Sequence, residues 1–144
     1  MTGRRILVVD DEESVRWALS KALERAGYRV DLAADGPSGL AAAQDTGVDL
    51  VLLDVRLPGR DGLAVLREIR KRRPELPVIM MTAYGTLQVA VEAMKHGAHD
   101  YIGKPFDVDE VLLLVGKALE AQVLAREVTR LRETVEERFD LGGI

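Results

Sequence analysis

A short apolar run that ends in a carboxylate constrains the fold of this chain more than any other feature. The run is Val48–Asp54, with the sequence VDLVLLD, and the turn-rich segment LPGRDG follows soon after it. A nearly continuous apolar strand is typical of a parallel sheet that helices cover on both faces. In open sheets of this class, ligands bind beyond the carboxyl ends of the strands, which is where Asp54 falls. The alternative is that Asp54 only caps a turn or a helix, and this stretch alone does not decide between the two.

Strand-like and helix-like segments alternate along the whole chain, which predicts a doubly wound α/β fold with a five-stranded parallel sheet. A strand order of 2-1-3-4-5 would place the first and third strands side by side. The predicted strands are Ile6–Val9, Tyr28–Ala33, Val48–Leu53, Pro77–Met81 and Asp100–Gly103. The predicted helices follow the acids at 10–13, open at Gly36, cover about Leu63–Arg73 and Thr86–His96, and start near Val108. In the first helix, the predicted inward positions are Val15, Leu19, Ala22, Leu23 and Ala26.

Composition excludes several other classes of protein. The 144 residues include no cysteine, which rules out disulfides and thiolate metal sites and fits a reducing cytoplasm. A net charge of −4 gives no electrostatic reason for this chain to contact nucleic acid. No apolar run is long enough to cross a bilayer, and the N-terminus does not read as a signal peptide. We therefore expect a cytoplasmic globular domain without a membrane partner.

The predicted strand tips carry residues that suit a magnesium site. Asp10 and Asp11 follow the first strand, and Asp54 ends the third. Three carboxylates in one small pocket disfavour ionisation unless a cation joins them. Because all these ligands are hard oxygens, Mg²⁺ is the expected cofactor.

The same edge of the sheet also suits phosphoryl transfer. Thr82 follows the fourth strand and Lys104 the fifth. Asp54 could attack phosphorus and form an aspartyl phosphate, while Lys104 and Mg²⁺ neutralise the phosphoryl oxygens and the Thr82 hydroxyl donates to one of them. Each residue also has a structural interpretation: a solvated lysine, a strand-end threonine, and acids at a helix N-terminus.

At these positions the sequence resembles the receiver domain of two-component response regulators. The matching segments are LVVDD at 7–11, LD at 53–54 with LPGRDG at 57–62, MTAY at 81–84 and DYIGKPF at 100–106. The resemblance covers about residues 4–120 and implies a flavodoxin-like fold, a sensor histidine kinase as partner and a cis bond before Pro105. The roles that it implies are the phosphoacceptor for Asp54, the magnesium-binding acids for Asp10 and Asp11, a third ligand for the Arg56 carbonyl, a switch pair for Thr82 and Tyr101, and the phosphate lysine for Lys104.

Further segments are similar to NtrC-type, sigma-54-dependent transcriptional regulators. They are MTAYGT at 81–86, AVEAMK at 90–95 and the terminal RFDLGGI at 138–144. In that family the last segment leads into an AAA+ ATPase and then a DNA-binding domain, and this chain has no Walker motif. We therefore expect a receiver domain at 1–120 and a linker helix at 121–144 that leads to an absent AAA+ domain. Such a chain would be a phosphorylation switch and not a turnover enzyme.

The tail has a heptad pattern that predicts a parallel dimer. Apolar residues alternate at spacings of three and four, with valine at a and leucine at d, the choice that favours two parallel helices. The opposite charges of Glu127 and Arg132 would pair between the helices. The alternative is an amphipathic helix that folds back onto its own domain. The short repeat suggests that the face of the fourth helix and fifth strand adds contact area. The predicted seam residues are Ala121, Leu124, Val128, Leu131 and Val135.

Three other functions fit the sequence less well. An aspartyl phosphatase usually carries a second acid two residues after its nucleophile, and Arg56 stands there. A nucleotide-binding module would need a GxGxxG motif or a P-loop, and both are missing. A stand-alone receiver of the motility type would not need the long tail.

Overall fold

The computed structural model describes residues 3–59, 61–83 and 87–124, and it forms a five-stranded parallel sheet in the order β2-β1-β3-β4-β5. The strands are β1 (Arg5–Val9), β2 (Arg29–Ala33), β3 (Val48–Asp54), β4 (Val78–Ala83) and β5 (Asp100–Lys104). The helices are α1 (Glu13–Arg25), α2 (Gly36–Ala43), α3 (Gly62–Arg72), α4 (Leu87–Lys95) and α5, which is helical over 108–124. The predicted fold class and strand order are confirmed.

Helices cover both faces of the sheet, as the apolar third strand predicts. One buried cluster contains β-strand residues with α2, α3 and α4, among them Leu40, Leu66 and Ala93. The other cluster lies against α1 and α5 and includes Leu19 and Val115. Every residue of β3 except Asp49 is buried. Removing apolar surface from water on both faces of the sheet is the main force that holds these layers together.

Several local signals fix where the helices begin and end. The side chains of Asp35 and Asp61 accept hydrogen bonds from the first turns of α2 and α3. Asp107 does the same for the start of α5, where its Oδ1 accepts from the Asp109 N–H at 2.9 Å. Gly27 and Gly97 take positive φ just after α1 and α4, a conformation that other residues adopt only at a cost.

Some predicted bounds are wrong by one or two residues. We predicted that strand four ends before Thr82 and strand five before Lys104, but Thr82 pairs with Gly103 and Ala83 with Lys104. The ladder extends these strands because each continues to find a hydrogen-bonded neighbour. Ala26, predicted to face inward, is exposed because α1 has already ended there. The predicted start of helix four at Thr86 lies outside the described residues.

Helix α5 passes residue 120 without a break. The division between a receiver at 1–120 and a linker helix at 121–144 therefore stays a prediction. Gln122 is buried and ties this part of α5 to the sheet, with its side chain near Arg4 and the Asp49 carbonyl. The next two residues, Val123 and Leu124, are exposed.

Candidate functional site

The carboxyl ends of β1, β3 and β5 meet at one edge of the sheet and bring three charged residues together. Asp10 follows β1 directly, Asp54 is the last residue of β3, and Lys104 is the last residue of β5. Parallel strands end on the same side, and β3 pairs with both β1 and β4. The topology therefore assembles a site from residues that lie far apart in the chain.

The Lys104 ammonium group lies between the two buried acids. Its Nζ donates to Asp10 Oδ2 at 2.6 Å and to Asp54 Oδ2 at 3.0 Å. Asp10 is fully buried and Asp54 is 5% exposed. A buried carboxylate is stable only when it is paired or hydrogen-bonded. Both acids share this one ammonium group, so its single positive charge offsets only part of their combined charge.

Burial and pairing oppose each other in the pKa values of the site. Burial raises the pKa of Asp54, and the nearby Asp10 charge adds to this rise. The hydrogen bonds from Lys104 and the Arg56 N–H lower the pKa of Asp54, but the net shift is upward. Burial lowers the pKa of Lys104, but its hydrogen bonds to Asp10 and Asp54 outweigh this and raise it to about 12. Lys104 therefore keeps its charge throughout the physiological range.

The loop after β3 holds Asp54 through backbone contacts. The Arg56 N–H donates to Asp54 Oδ1 at 3.2 Å, and the Val55 N–H donates to the Met81 carbonyl at 3.0 Å. Gly62, at the start of α3, donates to the Val55 carbonyl at 2.8 Å and packs directly against the end of β3. This close approach sets the position of the loop, and with it the Arg56 carbonyl.

An acidic cluster lies beside the Lys104 pair and has the donor chemistry of a magnesium site. One carboxylate oxygen from each of Asp10, Asp11 and Glu12 lies within 4.8 Å of the others. Oxygen donors of this kind suit Mg²⁺, so the residues present fit the cofactor. Within the described part of the chain, Asp54 lies outside this cluster, and its predicted role as a ligand stays a prediction. Glu12 was not among the predicted site residues, although the four consecutive acids at 10–13 are a signal that could have included it.

The predicted switch residues lie on the α4 side of the sheet. Tyr101 pairs with Met80 across β4 and β5, so Thr82 lies two residues further along β4 on the same face. Thr82 is buried, whereas Tyr101 is 41% exposed. The Tyr101 ring borders a groove of about 370 Å³ against α4, lined also by Ala90, Val91, Met94 and Lys95.

The described residues bear on some of the other predicted features: the cis peptide bond, part of the predicted dimer seam and the lack of a membrane-spanning segment. The peptide bond between Lys104 and Pro105 is cis, as the resemblance to receiver domains implies. The predicted seam residue Leu124 is 61% exposed. The other main seam residues, Val128, Leu131 and Val135, lie outside the described residues. Along the ranges that the structure covers, no helix has the length and apolar character needed to cross a bilayer.

Comparisons with known proteins agree with this arrangement. Residues 6–115 match the family of the response regulator receiver domain. Regulatory protein AtoC of Escherichia coli is 41% identical over 97% of this chain, and NtrC of Salmonella typhimurium is 47% identical over 79%. The chain spans only 30% and 24% of the length of these two relatives.

Solved structures give the same result. NtrX from Brucella abortus, in a crystal structure with ADP, is 44% identical with a TM-score of 0.86, covering 91% of this chain and 30% of NtrX. A CheY-like receiver domain from Methanospirillum hungatei is 34% identical with a TM-score of 0.81, covering 85% of this chain and 98% of that domain. The chain is therefore similar to regulators of the NtrC, AtoC and NtrX type and belongs to the response regulator receiver family.

Proposed function

We propose that this chain accepts a phosphoryl group on Asp54 from a sensor histidine kinase. The observation that carries the proposal is the position of the Lys104 ammonium, in contact with Asp54 at the tip of β3 and with buried Asp10. A fixed cation beside a carboxylate is what the transfer of a negatively charged phosphoryl group requires. Membership in the receiver family supports the same role.

In the proposed reaction, an Asp54 carboxylate oxygen forms the new bond to phosphorus. The bond between phosphorus and the imidazole nitrogen of the kinase breaks, and the electron pair stays on that nitrogen. Lys104 would neutralise one phosphoryl oxygen, and the Thr82 hydroxyl would donate to another. The chain itself would not turn over a substrate, because the phosphoryl group stays on Asp54 until water removes it.

We propose Asp10, Asp11, Asp54 and the Arg56 carbonyl as the residues that hold Mg²⁺. The acids supply hard oxygen ligands, and Mg²⁺ usually keeps several waters, so few protein ligands suffice. The cation would supply further neutralisation of the charge on the transferred phosphoryl group. Asp10 and Asp11 would bind the cation, and the loop between β3 and α3 would orient the Arg56 carbonyl.

The response to phosphate would pass through Thr82 and Tyr101. A phosphate on Asp54 gives the Thr82 hydroxyl a strong acceptor and draws it inward, and the Tyr101 ring then turns toward the vacated space. The partly exposed ring and the groove beside α4 support this because they leave room for a second arrangement. Hydrogen exchange across α4 should change with a phosphate mimic in wild type and in Thr82→Ser. It should not change in Thr82→Ala, which lacks the hydroxyl; a full response of that variant would contradict the mechanism.

We also propose that the chain forms a parallel homodimer through the helix that continues from α5, assisted by the face of α4 and β5. The exposure of Leu124 supports this, because its side chain does not pack into the core of its own domain. The dimer arrangement would in turn control the AAA+ ATPase and DNA-binding output of a longer sigma-54-dependent regulator. A cytoplasmic location, expected from the sequence, belongs to the same proposal.

Phosphorylation by a small phosphodonor tests the main proposal. Wild-type protein is incubated with acetyl phosphate and Mg²⁺ and then weighed intact by mass spectrometry. Asp54→Asn should gain no phosphoryl group, because the nucleophile is gone. The control is Asp49→Asn, the same substitution in the same strand, where the side chain instead accepts from the Arg5 N–H. Equal labelling of Asp54→Asn and wild type would overturn the assignment.

A further inference from the structure

The side chain of Glu12 does not do what its position in α1 would suggest. Glu12 is the N-cap of this helix, yet its carboxylate makes no capping hydrogen bond. Asp35 and Asp61, the N-caps of α2 and α3, do make such bonds. Glutamate is not among the residues preferred at this position. Its carboxylate is therefore available for another contact.

That contact is with Lys104. Glu12 Oε1 lies 3.4 Å from Lys104 Nζ, and the Glu12 side chain is 58% exposed. The backbone N–H of the same residue donates to Asp10 Oδ1 at 2.9 Å. Glu12 thus touches both members of the Asp10–Lys104 pair, one through its backbone and the other through its side chain.

The contact matters because Lys104 and Mg²⁺ would compete for the same carboxylates. Lys104 now donates to Asp10 and Asp54, two of the residues proposed to hold the cation. A divalent cation beside these acids repels the ammonium group. It also occupies the carboxylate lone pairs that accept the hydrogen bonds from Lys104. An ammonium group has three donors, and Glu12 is the third carboxylate within its reach.

We infer that Glu12 is a positioning residue that holds the Lys104 ammonium at the mouth of the site when Mg²⁺ binds to Asp10 and Asp54. This inference rests on the proposed function. Glu12 lowers the cost of displacing Lys104 from the buried acids and keeps the lysine near the phosphoryl oxygens. Because Glu12 also belongs to the acidic cluster with Asp10 and Asp11, direct contact with the metal is the alternative route, and the test must separate it from an effect that passes through Lys104.

A double-mutant cycle separates these two routes. Mg²⁺ affinity is measured by calorimetry for wild type, Glu12→Gln, Lys104→Met and the double variant. Glu12→Gln should weaken binding by about two- to fivefold, the range for a half-exposed ion pair. In the Lys104→Met background the same substitution should change affinity little. The control is Glu13→Gln, an equal change of charge at the next residue, which is also exposed; its loss should be smaller than that of Glu12→Gln.

A second measurement needs no change at Lys104. In protein saturated with Mg²⁺, the ¹⁵N signal of the Lys104 ammonium group should persist in wild type and in Glu13→Gln. It should broaden in Glu12→Gln, because the acceptor that orders the group is lost. An unchanged signal in Glu12→Gln, or an undiminished effect of that substitution in Lys104→Met, would overturn the inference. If wild-type protein binds no Mg²⁺, the proposed metal site fails first, so the two failures are distinct.

Discussion

Replacing Gly62 with alanine should destabilise the fold and disturb the phosphorylation site together. Gly62 begins α3 directly against the end of β3, and an added Cβ would lie 2.6 Å from the Val55 carbonyl oxygen and 2.7 Å from its Cα. It would be closer still to the Asp54 carbonyl oxygen. All three atoms belong to the backbone, so no side-chain rotation relieves the clash.

The cost follows from the movement that this clash requires. Carbon and carbonyl oxygen normally stay about 3.3–3.6 Å apart, so α3 must retreat by roughly 1 Å. Overpacking of this kind costs about 1–3 kcal/mol. The hydrogen bond from the Gly62 N–H to Val55 is lost as well, at about 1 kcal/mol. Alanine recovers up to about 1 kcal/mol through its helix propensity. We therefore expect a net loss of about 1–3 kcal/mol.

Urea unfolding at neutral pH measures this change, with Gly116→Ala as the matched control. Gly116 lies in α5, and apart from the neighbouring backbone of its own helix, a Cβ there would meet no atom of the described residues within 4 Å. The same substitution should therefore raise the free energy of unfolding by about 0.5–1 kcal/mol. In Gly62→Ala, phosphorylation should also slow, because the displaced loop carries the Arg56 N–H that donates to Asp54.

A free energy of unfolding for Gly62→Ala within about 0.5 kcal/mol of wild type would refute this reasoning. It would mean that α3 moves away from β3 without loss of packing. Normal phosphorylation together with reduced stability would show that the loop and the helix are independent.

Three further predictions concern charge, metal and assembly. Burial raises the pKa of Asp54 above its ordinary 3.8. The stability that protonated Asp54 contributes is therefore fully present below its unfolded-state pKa. This contribution is lost as the pH rises through the folded-state pKa. Without Mg²⁺, Asp54→Asn should therefore be more stable than wild type at pH 7, and this gain should vanish in urea titrations at about pH 3. Asp11→Ala should lower Mg²⁺ affinity by about tenfold or more in calorimetry; unchanged affinity would place the metal elsewhere. Replacing Leu124 and Leu131 with glutamine should yield a monomer that still accepts phosphate, and a dimer that persists in sedimentation at micromolar concentration would exclude this helix as the main interface.

The sequence alone determined the fold class, the strand order and the edge of the sheet where the site lies. The fold class and the positions of the strand tips follow from signals that are local along the chain: apolar runs, helical spacing, capping residues and glycines. The strand order follows from the fold class. The position of Asp54 at the end of a nearly continuous apolar run is the clearest of the local signals. Bounds were less certain, as Thr82 and Lys104 illustrate, because a strand ends where its neighbour stops pairing and not at a particular residue.

Only the tertiary structure decided which charged groups meet. Lys104 contacts Asp10 and Asp54 across separations of 94 and 50 residues. The distance from its ammonium group to each acid depends on how the strand tips align. The side-chain direction of Glu12 and the contact of Gly62 with β3 have no local signal either. Both result from close packing between elements that are distant in the chain, where the free space around each side chain is fixed by its neighbours and not by its own sequence.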